Sequence, residues 1–260
     1  MEMKGVAIIG CGAIGTLLAE AIDRREIEAK LIYLYDIDES KAVELASKLK
    51  QKPKVARNIN EILEDKEVDI VVEAASQKAV KEYLKPVLDS GKEILVMSVG
   101  ALLDLNLKRL YKKHRDRIHV PSGAIAGLDA LKAIRLVGVK KIILITRKPV
   151  KALKYSQYLA SKKIEKPTLI YEGPAEEAVK LFPRSVNVAA ALALYSDAPV
   201  LVKIIADPNL RNNIHEIHIE SEVSEIKIVV KNMPHPQNPR TSYLAALSAV
   251  ALLKELCKKQ

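Results

Sequence analysis

Three glycines near the start of the chain stand at the spacing G-x-G-x-x-G, in the segment GCGAIG of residues 10–15. Gly10 permits a tight turn, Gly12 leaves the backbone open to a pyrophosphate, and Gly15 allows a helix to pack closely on a strand. An apolar run, VAIIG, precedes the segment and a helical pattern follows it, as such a turn requires. The segment therefore predicts a dinucleotide-binding turn. Its predicted cofactor-binding residues are Gly10, Gly12, Ala13, Ile14 and Gly15.

Asp36 closes the next apolar strand, LIYLYD, and lies 21 positions (36 − 15) after the last glycine of the motif. A carboxylate near this spacing accepts hydrogen bonds from ribose hydroxyls and repels a 2′-phosphate. The sequence thus favours NAD over NADP, although Lys41 and Arg57 could attract such a phosphate. The alternative is a glycine-rich turn followed by an ordinary surface aspartate.

Small residues follow the third and fourth apolar strands, in the segments EAASQ (73–77) and SVGA (98–101). Ligands of a doubly wound sheet bind at the carboxyl ends of its strands, where small side chains leave room for a nicotinamide ribose. These segments are either part of the cofactor site or simply tight connections between strand and helix. The residues assigned to the site are Ala74, Ala75, Ser98 and Val99.

A later glycine-spaced segment, PSGAIAGLDA (121–130), opens a helix in the second half of the chain. Its N–H groups can cradle a carboxylate or the nicotinamide amide, or its small residues can serve close helix packing. Asn187 lies within the alanine-rich helix SVNVAAALAL, where its amide must find a partner in the backbone or in the cofactor.

His215 begins the strand HEIHIE on the same face as Ile217 and Ile219, because side chains alternate along a strand. An ionisable ring on an apolar face is either a core histidine with a satisfied hydrogen bond or a catalytic group. We expect a half-buried ring whose pKa is lowered by desolvation. Glu216 lies on the opposite face and would not counter that shift.

The elements that position these residues fall into two domains. Strands alternate with helices over residues 1–120, which predicts an α/β fold of the Rossmann type, a doubly wound parallel sheet. Residues 121–239 predict an α+β catalytic and dimerisation domain with a mixed or antiparallel sheet, antiparallel within 200–231. The Pro/Asn-rich segment 232–240 predicts a connector. The long helix of 240–260 is expected to return to the first domain.

Composition restricts the classes of partner. The net charge is +10, but lysines are mixed with glutamates over many helices, and aromatic residues make up only 4% of the chain, so no nucleic-acid partner is expected. No apolar run reaches about 18 residues, so no membrane span is expected. The two cysteines show no metal or redox spacing, which favours a metal-free protein of the cytoplasm. The Lys/Glu/Ile-rich composition is compatible with a heat-adapted protein.

Motifs along nearly the whole chain carry a family resemblance. They are, in order, GCGAIG, EAASQKAVKEY, SVGAL, PSGAIAGLDA, ITRKP, FPRSVNVAAALAL, ADPNLRNNIHEI and NPRTSYLAALSA. Together they resemble the L-aspartate dehydrogenases of the NadX type. The resemblance implies a homodimer that oxidises L-aspartate with NAD, or with NADP, to iminoaspartate. That product yields oxaloacetate and ammonia or feeds NAD biosynthesis. The resemblance also implies that His215 is the active-site residue and that Ala124 and Asn187 contact the dinucleotide.

The substrate is then expected between the two domains, where its carboxylates need cationic or N–H partners. The residues predicted to supply them are Ser122, Gly123, Arg240 and Thr241. Two other functions stay open on the sequence: a related two-domain reductase, such as dihydrodipicolinate reductase or homoserine dehydrogenase, and a dinucleotide sensor without chemistry.

Overall fold

The chain divides into two compact units, Met1–Pro121 together with Ala246–Gln260, and Ser122–Ala245. The computed structural model describes residues 3–153, 164–183, 187–236 and 238–258, without the side chains of Pro239 and Arg240. Over these residues, no helix has the length and apolar character that a membrane crossing needs. The same residues contain no group of three or more His, Cys, Asp or Glu side chains arranged to hold a metal ion.

The described residues of the first unit form six strands and the helices between them. The strands are β1 (Gly5–Ile9), β2 (Lys30–Tyr35), β3 (Lys54–Val55), β4 (Ile70–Glu73), β5 (Glu93–Val96) and β6 (Ile118–His119). The helices are α1 (Ala13–Asp23), α2 (Glu39–Lys48), α3 (Ile59–Glu64), α4 (Gln77–Asp89) and α5 (Leu105–Lys113), with a 3₁₀ turn over Val99–Leu103. All strand pairs are parallel, in the order β3-β2-β1-β4-β5-β6.

This strand order is that of a doubly wound Rossmann sheet, as predicted. The chain winds outward from β1 in one direction and from β4 in the other, so the carboxyl ends of β1 and β4 flank the point where the order reverses. Every residue of β1 and of β4 is buried, which explains why these strands are continuous apolar runs rather than alternating ones.

The last helix of the chain completes the core of this unit. It is α9 (Tyr243–Leu256), and its residues from Ala246 onward belong to the first unit. Ala249, Leu253 and Cys257 are buried in the same apolar cluster as Leu18 and Ile22 of α1.

Among its described residues, the second unit contains a five-stranded mixed sheet, three helices and a hairpin. Its helices are α6 (Leu128–Ile134), α7 (Ala175–Leu181) and α8 (Asn187–Ser196). The strands of its sheet are β7 (Val139–Pro149), β8 (Thr168–Pro174), β9 (Leu201–Asp207), β10 (Asn213–Ser221) and β11 (Glu225–Asn232), in the order β11-β10-β7-β9-β8. The hairpin consists of β12 (Pro234–His235) and β13 (Asn238–Ser242).

The two faces of the mixed sheet differ. On β7 the residues Ile142, Leu144 and Thr146 are buried, whereas Ile143 and Ile145 are only partly buried. We call these the buried face and the outer face. The registers of β10 and β11 extend both faces over the neighbouring strands, because Leu144 pairs with Ile217 and Ile217 pairs with Ile228.

Two expectations about this unit need correction. The strands of 200–231 are not antiparallel throughout, because β9 pairs in parallel with β7 while β10 inserts between β7 and β11. The segment 232–240 is not an irregular connector but contributes to the hairpin, where Pro234 pairs with Ser242. A two-stranded ladder has two outer edges, so prolines without an N–H are tolerated in it.

Candidate active site

The glycine-rich turn between β1 and α1 leaves space for an anionic ligand. An ideal Cβ on Gly12 would meet no atom within 4 Å, so the turn is open there. An ideal Cβ on Gly15 would lie 1.8 Å from the carbonyl oxygen of Gly10, so only glycine permits the close approach of helix and turn. Gly10 has a φ of +99°, which favours glycine, and Gly12 is the N-cap of α1 without a side chain to occupy the helix N–H groups. The turn therefore fits a dinucleotide pyrophosphate.

Asp36 lies directly beside this turn. Its Oδ2 accepts a hydrogen bond of 2.8 Å from the Cys11 N–H, and its Oδ1 accepts one of 2.9 Å from the Asp38 N–H. These two bonds fix the carboxylate and leave further lone pairs for ribose hydroxyls. Lys41 forms an ion pair with Asp38, so that cation is already engaged.

Glu73 joins the two turns that follow β4 and β5. Its carboxylate is fully buried and accepts hydrogen bonds from the Ala75, Ser76 and Ser98 N–H groups and from the Ser98 hydroxyl, at 2.8–2.9 Å. Burial raises the pKa of Glu73, and the hydrogen bonds from Ser98 and its neighbours oppose that rise. Hydrogen bonds to this one carboxylate therefore hold the two predicted cofactor segments next to each other. Within them Ala75 is exposed, whereas Val99 is buried and can offer a ligand only its backbone.

His215 lies on the buried face of the sheet in the second unit, as the alternation of HEIHIE predicts. It is paired with Thr146 of β7 and Val230 of β11. Its Nδ1 is 3.1 Å from the Thr146 hydroxyl, and no described residue engages its Nε2. The ring is only 3% exposed, so the expected half-burial is wrong: the ring is buried almost completely. Desolvation lowers its pKa to about 3, with a smaller contribution from the charge of Lys148.

Lys148 is a second ionisable group on the same face, two residues beyond Thr146 on β7. Its side chain is buried, with 6% exposure, and desolvation lowers its pKa to about 8. No described residue forms an ion pair or a hydrogen bond with its ammonium group. A buried cation and a neutral imidazole thus lie side by side on one surface.

Two asparagines continue this polar area. Asn213 precedes His215 by two residues on the same face and pairs with Asn232 of β11. The Asn232 Nδ2 donates a hydrogen bond of 3.0 Å to the carbonyl oxygen of Ala124, while its buried Oδ1 accepts none from the described residues. Both asparagines line a cavity of about 290 Å³. Its other lining residues are Pro149, Lys151, Ala152, Arg211, Asn212, Met233, Pro234, Asn238 and Ser242.

The remaining predicted residues are distributed as follows. Ala124 is buried and is tied to Asn232, whereas Ser122 and Gly123 precede it in the turn before α6 without lining the cavity. Asn187 lies on α8, within the part of that helix that the structure describes. Thr241 lies on β13 and is partly buried. The side chain of Arg240 lies outside the described residues.

The sequence reasoning missed Lys148, Asn213 and Asn232. A usable signal existed for Lys148, because its position in KKIILITRKP has the parity of Ile142 and Leu144, which marks the buried face. For Asn232 there was none, because its place beside Asn213 depends on the register between two strands.

Comparison with known proteins covers both units. Residues 129–256 match a family model described as aspartate dehydrogenase, C-terminal, and residues 10–121 match one described as homoserine dehydrogenase, NAD binding domain. The L-aspartate dehydrogenases of Methanosarcina mazei and Methanosarcina barkeri are 43% and 42% identical to the chain, over 98% of it and 97% of their own length. The crystal structure of aspartate dehydrogenase from Thermotoga maritima superposes with a TM-score of 0.78 at 31% identity, over 100% of this chain and 99% of that one.

Proposed function

The chain belongs to the L-aspartate dehydrogenase family, and from this membership and its site geometry we propose that it oxidises L-aspartate at the α-carbon. The alternative of a related reductase is not favoured, because the relatives match over both units and the homoserine dehydrogenase model matches only residues 10–121. When bound, the nicotinamide dinucleotide accepts the hydride from the substrate.

His215 is the proposed acid–base residue, and its state in the structure carries the proposal. A buried imidazole with a lowered pKa is neutral at neutral pH and so has a lone pair to offer. When Nδ1–H donates to the Thr146 hydroxyl, the lone pair is on Nε2, which no described residue engages. This nitrogen can take a proton from the substrate ammonium or from the water that attacks the imine. The products are iminoaspartate and then, by hydrolysis, oxaloacetate and ammonia.

The experiment that tests this role is the His215→Ala variant, assayed by reduction of NAD in the presence of L-aspartate. We expect kcat to fall by about 10²-fold or more, the contribution typical of a general acid–base group. His218→Ala is the matched control, because His218 lies on the outer face of the same strand and contacts Glu216. Turnover by a folded His215→Ala variant within a few-fold of wild type would remove His215 from the mechanism.

Three finer points belong to the same proposal. NAD is the preferred cofactor, supported by the fixed carboxylate of Asp36 beside the open turn. The iminoaspartate feeds pyridine nucleotide biosynthesis, as the family resemblance implies. The chain forms a homodimer, supported by apolar side chains on the outer face of the mixed sheet, where Val229 is 50% and Leu169 is 49% exposed. Light scattering should then give twice the chain mass, and the mass of one chain would contradict it.

A further inference from the structure

Two lysines of the chain are buried to the same degree but differ in their partners. Lys92, in the first unit, is 7% exposed, and its ammonium donates to the carbonyl oxygens of Asp65 and Val68 at 2.7 and 2.9 Å. Lys148 is 6% exposed, and its ammonium is engaged by no described residue. A buried charge without a partner is strongly unfavourable. Lys92 is therefore a structural lysine, whereas the described part of the fold gives the charge of Lys148 no partner.

The surroundings of Lys148 suit an anionic ligand with polar groups at its other end. β7 and β10 are antiparallel, and Thr146 pairs with His215. Lys148, two residues after Thr146, and Asn213, two residues before His215, therefore lie toward the same end of the buried face. Pro149, the neighbour of Lys148, lines the cavity, together with Asn213 and Asn232. The buried Oδ1 of Asn232, which accepts no hydrogen bond from a described residue, is an acceptor for an N–H donor such as a substrate ammonium.

We propose that Lys148 binds a carboxylate of the amino-acid substrate. The proposal rests on the proposed function and deepens it, since L-aspartate has two carboxylates. The carboxylate is the counter-ion that none of the described residues supplies to the buried ammonium. Charge-assisted hydrogen bonds of this kind are among the strongest that a site can offer.

This assignment also connects binding to the acid–base group. The charge of Lys148 lowers the pKa of His215, in addition to desolvation. A carboxylate that binds Lys148 offsets this charge, so the basicity of His215 rises when the substrate is present. Lys148 is thus a substrate-binding residue that also sets the proton affinity of its neighbour.

The test compares Lys148→Met with Lys92→Met, using steady-state kinetics and thermal unfolding. In Lys148→Met the KM for L-aspartate should rise about 30-fold or more, as expected when one partner of a buried charge pair is removed. The KM for NAD should stay within about twofold, and the melting temperature should not fall, because an uncompensated charge has been replaced by an apolar side chain. In Lys92→Met the melting temperature should fall and the KM for L-aspartate should not change. Lys148→Arg should recover part of the affinity.

A separate readout keeps this inference distinguishable from the proposed function. Succinate, a dicarboxylate that cannot be oxidised at an amine, is titrated into each protein by calorimetry, and it should bind wild type but not Lys148→Met. If wild type turns over L-aspartate and Lys148→Met keeps the same KM and succinate affinity, the inference is wrong and the function stands. If wild type does not turn over L-aspartate, the function is wrong, and the succinate titration still decides the role of Lys148. Loss of folding in Lys148→Met would overturn the argument, which requires the charge to be unnecessary for the fold.

Discussion

The burial of His215 predicts a specific dependence of stability on pH. Its pKa lies at about 3 in the folded protein, below the ordinary value of 6.5 that it recovers on unfolding. The unfolded chain therefore binds a proton between these two values when the folded chain does not. The contribution of the neutral ring to stability is complete above 6.5 and is lost as the pH falls toward 3.

The size of this effect follows from the interval between the two pKa values. Protonation of this histidine in the unfolded state lowers the free energy of unfolding by about 2 kcal/mol at about pH 5 relative to neutral pH. The reason is that each pH unit below the unfolded pKa contributes about 1.4 kcal/mol. The perturbation is His215→Gln, which keeps a polar side chain able to bond to Thr146 but removes the titration. The loss of unfolding free energy between about pH 7.5 and pH 5 should be about 2 kcal/mol smaller in the variant than in wild type.

The assay is urea unfolding followed by circular dichroism at both pH values. Other carboxyl groups also make stability depend on pH, among them Glu73, whose pKa burial raises, and Glu93, whose pKa is lowered to about 2 chiefly by the hydrogen bond from His119. They are present in both proteins, so they cancel in the difference. If wild type and His215→Gln lose the same free energy, the ring is not a buried neutral imidazole, and the reasoning about its lone pair fails with it.

Two further predictions concern the first unit. Asp36→Ser removes the carboxylate that repels a 2′-phosphate, so the ratio of kcat/KM for NADP to that for NAD should rise by about tenfold or more; an unchanged ratio in steady-state assays would show that Asp36 does not select the cofactor. Glu73→Gln replaces one acceptor oxygen by a donor in a fully satisfied buried cluster, so the unfolding free energy should fall by about 2 kcal/mol; urea unfolding that matches wild type would contradict the account of the two joined turns.

The first unit could be predicted from the sequence because its determinants are local. The turn of residues 10–15 depends on glycine spacing and on the apolar run just before it, both visible in the sequence. The buried strands β1 and β4 are continuous apolar runs, a pattern typical of parallel strands that are covered on both faces of the sheet. The mixed sheet is different. Its central strand β7 pairs in parallel with β9 and antiparallel with β10, and such non-local pairings have no signature in either strand alone.

The same distinction explains what could be predicted of the site. Strand alternation placed His215 on the buried face correctly, but the degree of burial depends on what covers that face, which no single strand encodes. Lys148 and His215 each break the apolar parity of their own strand. Only the register, which pairs His215 with Thr146, shows that Lys148 and His215 lie near each other.

The proximity of Lys148 and His215 is the strongest physical evidence for a site in the second unit. A cation without a counter-ion among the described residues and an imidazole whose Nε2 none of them engages are both unfavourable in a packed interior, and the charge further disfavours protonation of the ring. Residues that lower the stability of a fold are retained at positions where the function requires them. A ligand that brings a carboxylate to Lys148 and an ammonium toward His215 turns both unfavourable features into interactions. An α-amino acid has these two groups on one carbon, which is why this pair of residues points to an amino-acid substrate independently of the resemblance to known dehydrogenases.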